Sequence, residues 1–447
     1  MRHIEDFPAD FLFGVATAAY QIEGAVNEDG RVPSQWDTFS HRPGAVLNGD
    51  TGDIACDHYH RYADDIRLIK DLGVTSYRFS IAWPRIQPGP GKTNPRGLAF
   101  YHRVLDELDR HGIIPAVTLY HWDLPKWAAD RGGWLNRDVA EYFNDYAAIL
   151  FQEFGRRIPL WITHNEPWCS AFLGYALGEH APGNRNWREA MIASHHLLLS
   201  HGKAVNTFRS LGVEGQIGIT LNLTVADPAG DQARDHDAAH RADGYANRWF
   251  LDPLFRGEYP ADMLEVFRPT VGSYDFMHPE DAAVIRAPLD FLGVNYYTRS
   301  IVFDKPGDGP LNLGYVQPEP AESTAMGWEI HPESLYRLLT RLEREYTQGL
   351  PLYITENGAA FDDHLGVDGQ VHDEGRITYL QQHLVAAQRF VQDGGALKGY
   401  YVWSLLDNFE WAFGYSKRFG LIYVDFPTQT RMLKDSAHWY REMIQRP

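Results

Sequence analysis

Cysteine is nearly absent from this chain: Cys56 and Cys169 are the only two in 447 residues. No disulfide framework can be built from them, although a single bridge between the pair stays open, and a reducing compartment is the simplest expectation. Positive charge is also in short supply. The 41 Lys and Arg against 59 Asp and Glu leave a net charge of −18, which argues against nucleic acid or an anionic membrane surface as partner. No apolar run approaches the roughly 20 residues a bilayer span requires. The start, Met1 to Pro8, has no apolar signal core, so a cytoplasmic location is expected. Ser/Gly-rich linkers, low-complexity tracts and repeats are missing too. A prior of about 150 residues per domain suggests roughly three domains, but α/β barrels can exceed 400 residues as one. With 44% apolar residues there is core material for that, and residues 1–447 are expected to form a single domain.

What is present is alternation. Strand-length apolar runs at 11–17, 76–80, 113–119, 160–163, 216–220, 291–295, 352–355 and 397–405 are separated by segments with helical spacing. Residues 59–72, for example, place Tyr59, Tyr62, Ile66 and Ile69 on one face. Residues 137–154, 187–211, 332–346 and 376–392 read the same way. Eight strands and about eight helices predict one closed (β/α)8 TIM barrel. Pro- and Gly-bearing stretches at 87–95, 226–230 and 304–320 read as long active-site loops at the C-terminal ends of the strands.

Two segments carry the chemistry: Thr163-His164-Asn165-Glu166-Pro167 and Tyr353-Ile354-Thr355-Glu356-Asn357-Gly358. Each sets a Glu beside an Asn at the exit of a buried strand, where a carboxylate is costly unless paired or used. One such acid reads equally well as a helix cap. Two suggest the paired carboxylates that cleave glycosidic bonds, one protonated and one ionised. Arg78, on a strand where a cation is expensive, is assigned as the partner that keeps Glu356 charged. Sugar recognition needs flat apolar faces and paired polar groups. Gln21, His121 with Trp122, Asn165, Asn295 with Tyr297, Trp403, and Glu410 with Trp411 stand where loops begin.

These residues, with Phe11-Leu12-Phe13-Gly14-Val15-Ala16-Thr17-Ala18-Ala19-Tyr20-Gln21-Ile22-Glu23-Gly24 and the stretch 403–420, give the chain a resemblance to the family 1 glycoside hydrolases, the β-glucosidase family, from about Phe7 to Tyr440. The resemblance implies a retaining mechanism, with Glu166 as acid/base and Glu356 as nucleophile. It implies that Gln21, His121, Asn165, Glu410 and Trp411 bind the non-reducing sugar above Trp403, with Trp122 and Phe419 beside them. Asn295 and Tyr297 would orient the nucleophile. A carboxylate at Glu410 would repel a phosphate, so an unphosphorylated small-molecule β-glycoside is the expected substrate, with no cofactor. Cys169, His180 and Trp328 are candidates for the aglycone side.

Other signals carry less. Gly91-Lys92-Thr93 lacks the first glycine of a phosphate loop, which would fall at Ile86. Neither His58 with His60 nor His236 with His240 has the carboxylate or cysteine company of a convincing metal site, so none is expected. In His195-His196, at most one ring is expected to face the core. Asn222-Leu223-Thr224 matches a glycosylation sequon that a cytoplasmic chain would leave idle.

Overall fold

The computed structural model describes residues 7–445. Eight parallel strands close into a barrel in sequence order: β1 Leu12–Ala16, β2 Ser76–Ser80, β3 Ile114–Tyr120, β4 Leu160–Asn165, β5 Gln216–Asn222, β6 Phe291–Asn295, β7 Leu352–Asn357 and β8 Leu397–Trp403. β8 returns to pair with β1, from Leu12 opposite Gly399 to Ala16 opposite Trp403. The sequence placed every barrel strand. β4 and β7 run two residues further than expected, so Glu356 is still part of its strand and Glu166 follows directly on Asn165. β3 begins at Ile114, one residue later than expected.

The outer ring contains α1 His58–Leu72, α2 Pro95–His111, α3 Asp138–Phe154, α4 Trp187–Ser210, α5 Ala233–Asp243, α6 Pro332–Leu342, α7 Glu374–Gln392 and α8 Asp435–Ile444. Their ends follow local chemistry. Asn94 caps α2 from the residue before Pro95, and Gly112, at φ 67°, ends it in the left-handed region. Asn186 accepts the backbone N–H groups of Arg188 and Glu189 to start α4. The expected helix over 332–346 stops at Leu342 and continues as a wider turn, Glu343–Thr347.

Two expectations need correction. Residues 226–230 and 304–320 are not plain loops: Ala226–Pro228, Ser300–Asp304 and Leu313–Tyr315 form a three-stranded sheet above the barrel. Short strands with half-exposed faces lack the apolar run that marked the barrel strands. His195 and His196 are both buried, at 2% and 3% exposure. α4 is covered on two sides: His196 Nδ1 meets the Trp134 carbonyl at 2.8 Å, while His195 Nε2 meets Asp281 at 2.8 Å. A helix sandwiched this way has no exposed polar face over its central turns, 193–202.

Both cysteines are free and buried. No helix among the described residues is long and apolar enough to cross a membrane.

Candidate active site

The C-terminal ends of the strands open into a cavity of about 490 Å³. It is lined by His121, Trp122, Asn165, Glu166, Cys169, His180, Asn295, Tyr297, Trp328, Glu356, Trp403, Glu410, Trp411 and Phe419, which is all but two of the residues singled out from sequence. The two exceptions, Gln21 and Arg78, are fully buried one layer behind the wall. Gln21 Nε2 holds Asn408 Oδ1 at 3.0 Å and the Phe409 carbonyl at 2.9 Å, and reaches Glu410 Oε2 at 3.4 Å. It therefore anchors the loop that presents Glu410 and Trp411.

The two carboxylates have different company. Glu356 receives Arg78 Nη1 at 2.5 Å and the Tyr297 hydroxyl at 2.6 Å. Arg78 also donates to Asn165 Oδ1 at 2.7 Å and to the Thr355 carbonyl at 3.1 Å. Glu166 receives neutral donors: Asn295 Nδ2 at 2.6 Å and the Cys169 thiol at 3.1 Å. Asn295 was expected beside Glu356, as Tyr297 is. Its amide bears on Glu356 and also donates to Glu166 at 2.6 Å and to Asn165 Oδ1 at 3.0 Å. That follows from registry, since Asn295 ends β6 between β5 and β7 and faces across the barrel mouth toward β4.

Burial and the nearby Glu356 charge push the Glu166 carboxyl up to about 7. Burial also raises Glu356, against the opposing pull of the Arg78 charge and the Tyr297 hydroxyl. Arg78 thus counters a desolvation that is larger. Burial, with the Glu356 and Glu166 charges, lifts Glu410 to about 8. Burial and the Arg78 charge drive His121 well below the ordinary imidazole range, so its ring is neutral. Its Nε2 pairs with Asn165 Nδ2 at 3.0 Å, leaving Nδ1 buried without a partner.

Three site residues sit in the left-handed backbone region: Trp122 at φ 80°, Glu166 at φ 47° and Trp411 at φ 48°. Such strain persists where surrounding contacts over-determine the conformation. Trp122 Nε1 donates to the Asn165 carbonyl at 2.8 Å, and Glu166 N–H donates to the Thr220 carbonyl at 2.9 Å. The aromatic walls interlock: Trp122 and Trp411 lie 4.5 Å apart, Tyr297 and Trp328 5.3 Å, and His180 lies 5.3 Å from Trp122.

The sequence missed part of the lining, including Glu179, Asn222, Thr224, Tyr245, Thr298 and Met326. Asn222 ends β5, so strand-end position alone could have found it. The apparent sequon Asn222-Leu223-Thr224 faces this cavity, with Thr224 Oγ1 bonded to the Thr298 carbonyl at 2.8 Å.

The profile of glycosyl hydrolase family 1 matches residues 3–447. The chain belongs to that family. It is a retaining glycosidase that acts on small β-glycosides. It is 50% identical over 442 residues to beta-glucosidase A from Acetivibrio thermocellus, covering 98% of each chain. It is 48% identical over 460 residues to a bifunctional beta-D-glucosidase/beta-D-fucosidase from Bifidobacterium breve, again covering 98% of each. Among solved structures, a GH1 beta-glucosidase from Exiguobacterium antarcticum superposes with a TM-score of 0.96 at 53% identity, covering 98% of both chains.

Proposed function

We propose that the protein is an exo-acting β-glucosidase in which Glu356 is the nucleophile and Glu166 the acid/base. One contrast carries the assignment: Glu356 rests on a guanidinium and a phenol, whereas Glu166 rests on an amide and a thiol. A cation stabilises a carboxylate that must stay ionised to attack, while a group raised to about 7 keeps its proton until the leaving oxygen needs it.

In the first step a Glu356 oxygen bonds to the anomeric carbon as the bond from that carbon to the leaving oxygen breaks, and Glu166 gives that oxygen its proton. In the second, Glu166, now ionised, takes a proton from water. The water oxygen bonds to the anomeric carbon, the ester to Glu356 breaks, and the sugar leaves with its β configuration kept. Trp403 is assigned as the platform beneath the ring. Gln21, His121, Asn165, Glu410 and Trp411 are assigned to its hydroxyls, with Trp122 and Phe419 beside them. Cys169, His180 and Trp328 are assigned to the aglycone side. The whole chain is read as one catalytic domain, working in the cytoplasm.

Terminal glucose is the favoured sugar, released from cellobiose and from aryl or alkyl β-glucosides, because the relatives' names are consistently those of glucosidases. The bifunctional relative at 48% identity supports a secondary β-fucosidase activity. Glu356→Ala is expected to abolish turnover of an aryl β-glucoside, and added azide to restore product as the α-glucosyl azide. Glu166→Ala with azide is expected to give the β-azide on substrates with good leaving groups. Near-normal activity of Glu356→Ala without azide would overturn the assignment.

A further inference from the structure

β7 carries one residue more than its neighbour. Ile354 pairs with Val294 of β6, but Asn295 pairs with Glu356, so Thr355 is bulged out of the ladder. Bulges of this kind re-aim side chains. Here the bulge lets two consecutive residues, Thr355 and Glu356, both serve the barrel interior. The Thr355 hydroxyl donates to Asn295 Oδ1 at 2.7 Å and receives the Thr220 hydroxyl at 3.2 Å. All three side chains are at most 2% exposed. Gly293 makes room for this chain: a Cβ there would stand 2.2 Å from Thr220 Oγ1 and 2.9 Å from the Thr355 methyl.

The polarity of the network is fixed from its other end. Arg78 only donates, so the Asn165 oxygen it holds is an acceptor toward Asn295, and the Asn295 nitrogen must face Asn165 and Glu166. That leaves the Asn295 oxygen buried and pointing away, where the Thr355 hydroxyl meets it.

We propose that Thr355, backed by Thr220, is a positioning residue for the acid/base: its hydroxyl pins the Asn295 amide so that an N–H stays on the Glu166 carboxylate. This rests on the reading of Glu166 as acid/base. An N–H donor favours the ionised form of a carboxyl, and ionised Glu166 is the form the second step uses as base. Other groups also act on Glu166: the Glu356 and Glu410 carboxyls, the Arg78 cation, the Cys169 thiol, the Tyr297 phenol and, through Asn165, the neutral His121 ring. None of these touches the Asn295 oxygen, so loss of the Thr355 hydroxyl should be read through Asn295 alone.

Thr355→Val keeps the shape and removes the donor, and Thr355→Ser restores it. The expected result for Thr355→Val is a basic limb of the kcat/KM profile shifted up by about one pH unit, with kcat at neutral pH reduced. Thr355→Ser should return the limb toward wild type. In an Asn295→Ala background the same Thr355→Val change should move the limb no further. A limb within about 0.2 units of wild type in folded Thr355→Val, or an equal added shift without Asn295, overturns the proposal. Where Val disturbs the bulge, Thr355→Ala gives the same reading without the branched methyls. Glu166→Ala with azide serves as the control. If it yields no β-azide, the acid/base reading itself fails, whereas a normal control with an unmoved limb counts against Thr355 alone.

Discussion

Glu410 stands with two other carboxyls at the mouth of the barrel, and burial beside them raises it to about 8. Its place in the cleft therefore costs stability at alkaline pH. Glu410→Gln keeps the shape but replaces the carboxyl with an amide that cannot titrate. It is expected to lower kcat/KM for aryl β-glucosides by about two orders of magnitude, and to raise the melting temperature at pH 8 relative to wild type. An unchanged kcat/KM would remove Glu410 from the sugar subsite. At this scale the sequence was most legible where a costly residue type stood within or just after a buried strand, as with Glu166, Glu356 and Arg78. It was least legible for direction. Asn295 lines the cavity, yet how its amide divides between Glu166 and Glu356 depends on the barrel's registry across β4, β6 and β7, which no local pattern encodes. Thr355 was hidden for a related reason, because a bulge changes which face a residue serves without changing the residue itself.

Between elements, a buried ionic cluster ties the loops after β7 and β8 to the start of α8. Lys434 Nζ lies 2.5 Å from Asp363 and 2.7 Å from Asp407, with no exposure. Arg376 also meets Asp363, at 2.6 Å, and Arg418 meets Asp407, at 2.6 Å. Asp407 immediately precedes Asn408, which Gln21 holds, so the cluster sets the base of the loop that carries Glu410 and Trp411. Breaking a buried pair by removing one partner leaves an uncompensated charge, at a cost of about 3–5 kcal/mol. Lys434→Met is expected to lower the melting temperature and to raise KM for aryl β-glucosides, since the loop loses its foundation while Glu166 and Glu356 keep their partners. A variant with lowered stability but unchanged KM would show that the loop is held without Lys434. The barrel strands and five of the eight outer helices were legible as elements because a doubly buried strand is a continuous apolar run and an outer helix repeats its apolar residues at helical spacing. The three-stranded sheet at 226–228, 300–304 and 313–315 was not, since its strands are short and half-exposed.

Across the whole molecule two sets of buried titratable groups pull stability in opposite directions with pH. Burial raises Asp123 to about 8, Glu166 to about 7 and Glu410 to about 8. A carboxyl raised in the folded state holds a proton that the unfolded chain has released. Its stabilisation is complete below the ordinary value near 4 and is lost as pH rises through 7 to 8. Burial lowers His180 and His201 to about 3, and His196 and His383 to about 4. These imidazoles remain neutral when folded but take protons when unfolded below about 6.5. Their stabilisation is present above that value and is lost as pH falls toward 3 to 4. The melting temperature should therefore peak at about pH 6 to 7 and decline on both sides. The alkaline decline can be assigned with one substitution away from the cleft carboxyls. Asp123 is 1% exposed, and neither of its carboxyl oxygens has a hydrogen-bond partner in another residue. Asp123→Asn should shrink the fall in melting temperature between pH 6 and pH 8.5, leaving the acidic side unchanged. An equally steep alkaline fall in that variant would place the loss on the cleft carboxyls instead, where Glu410→Gln measures it directly.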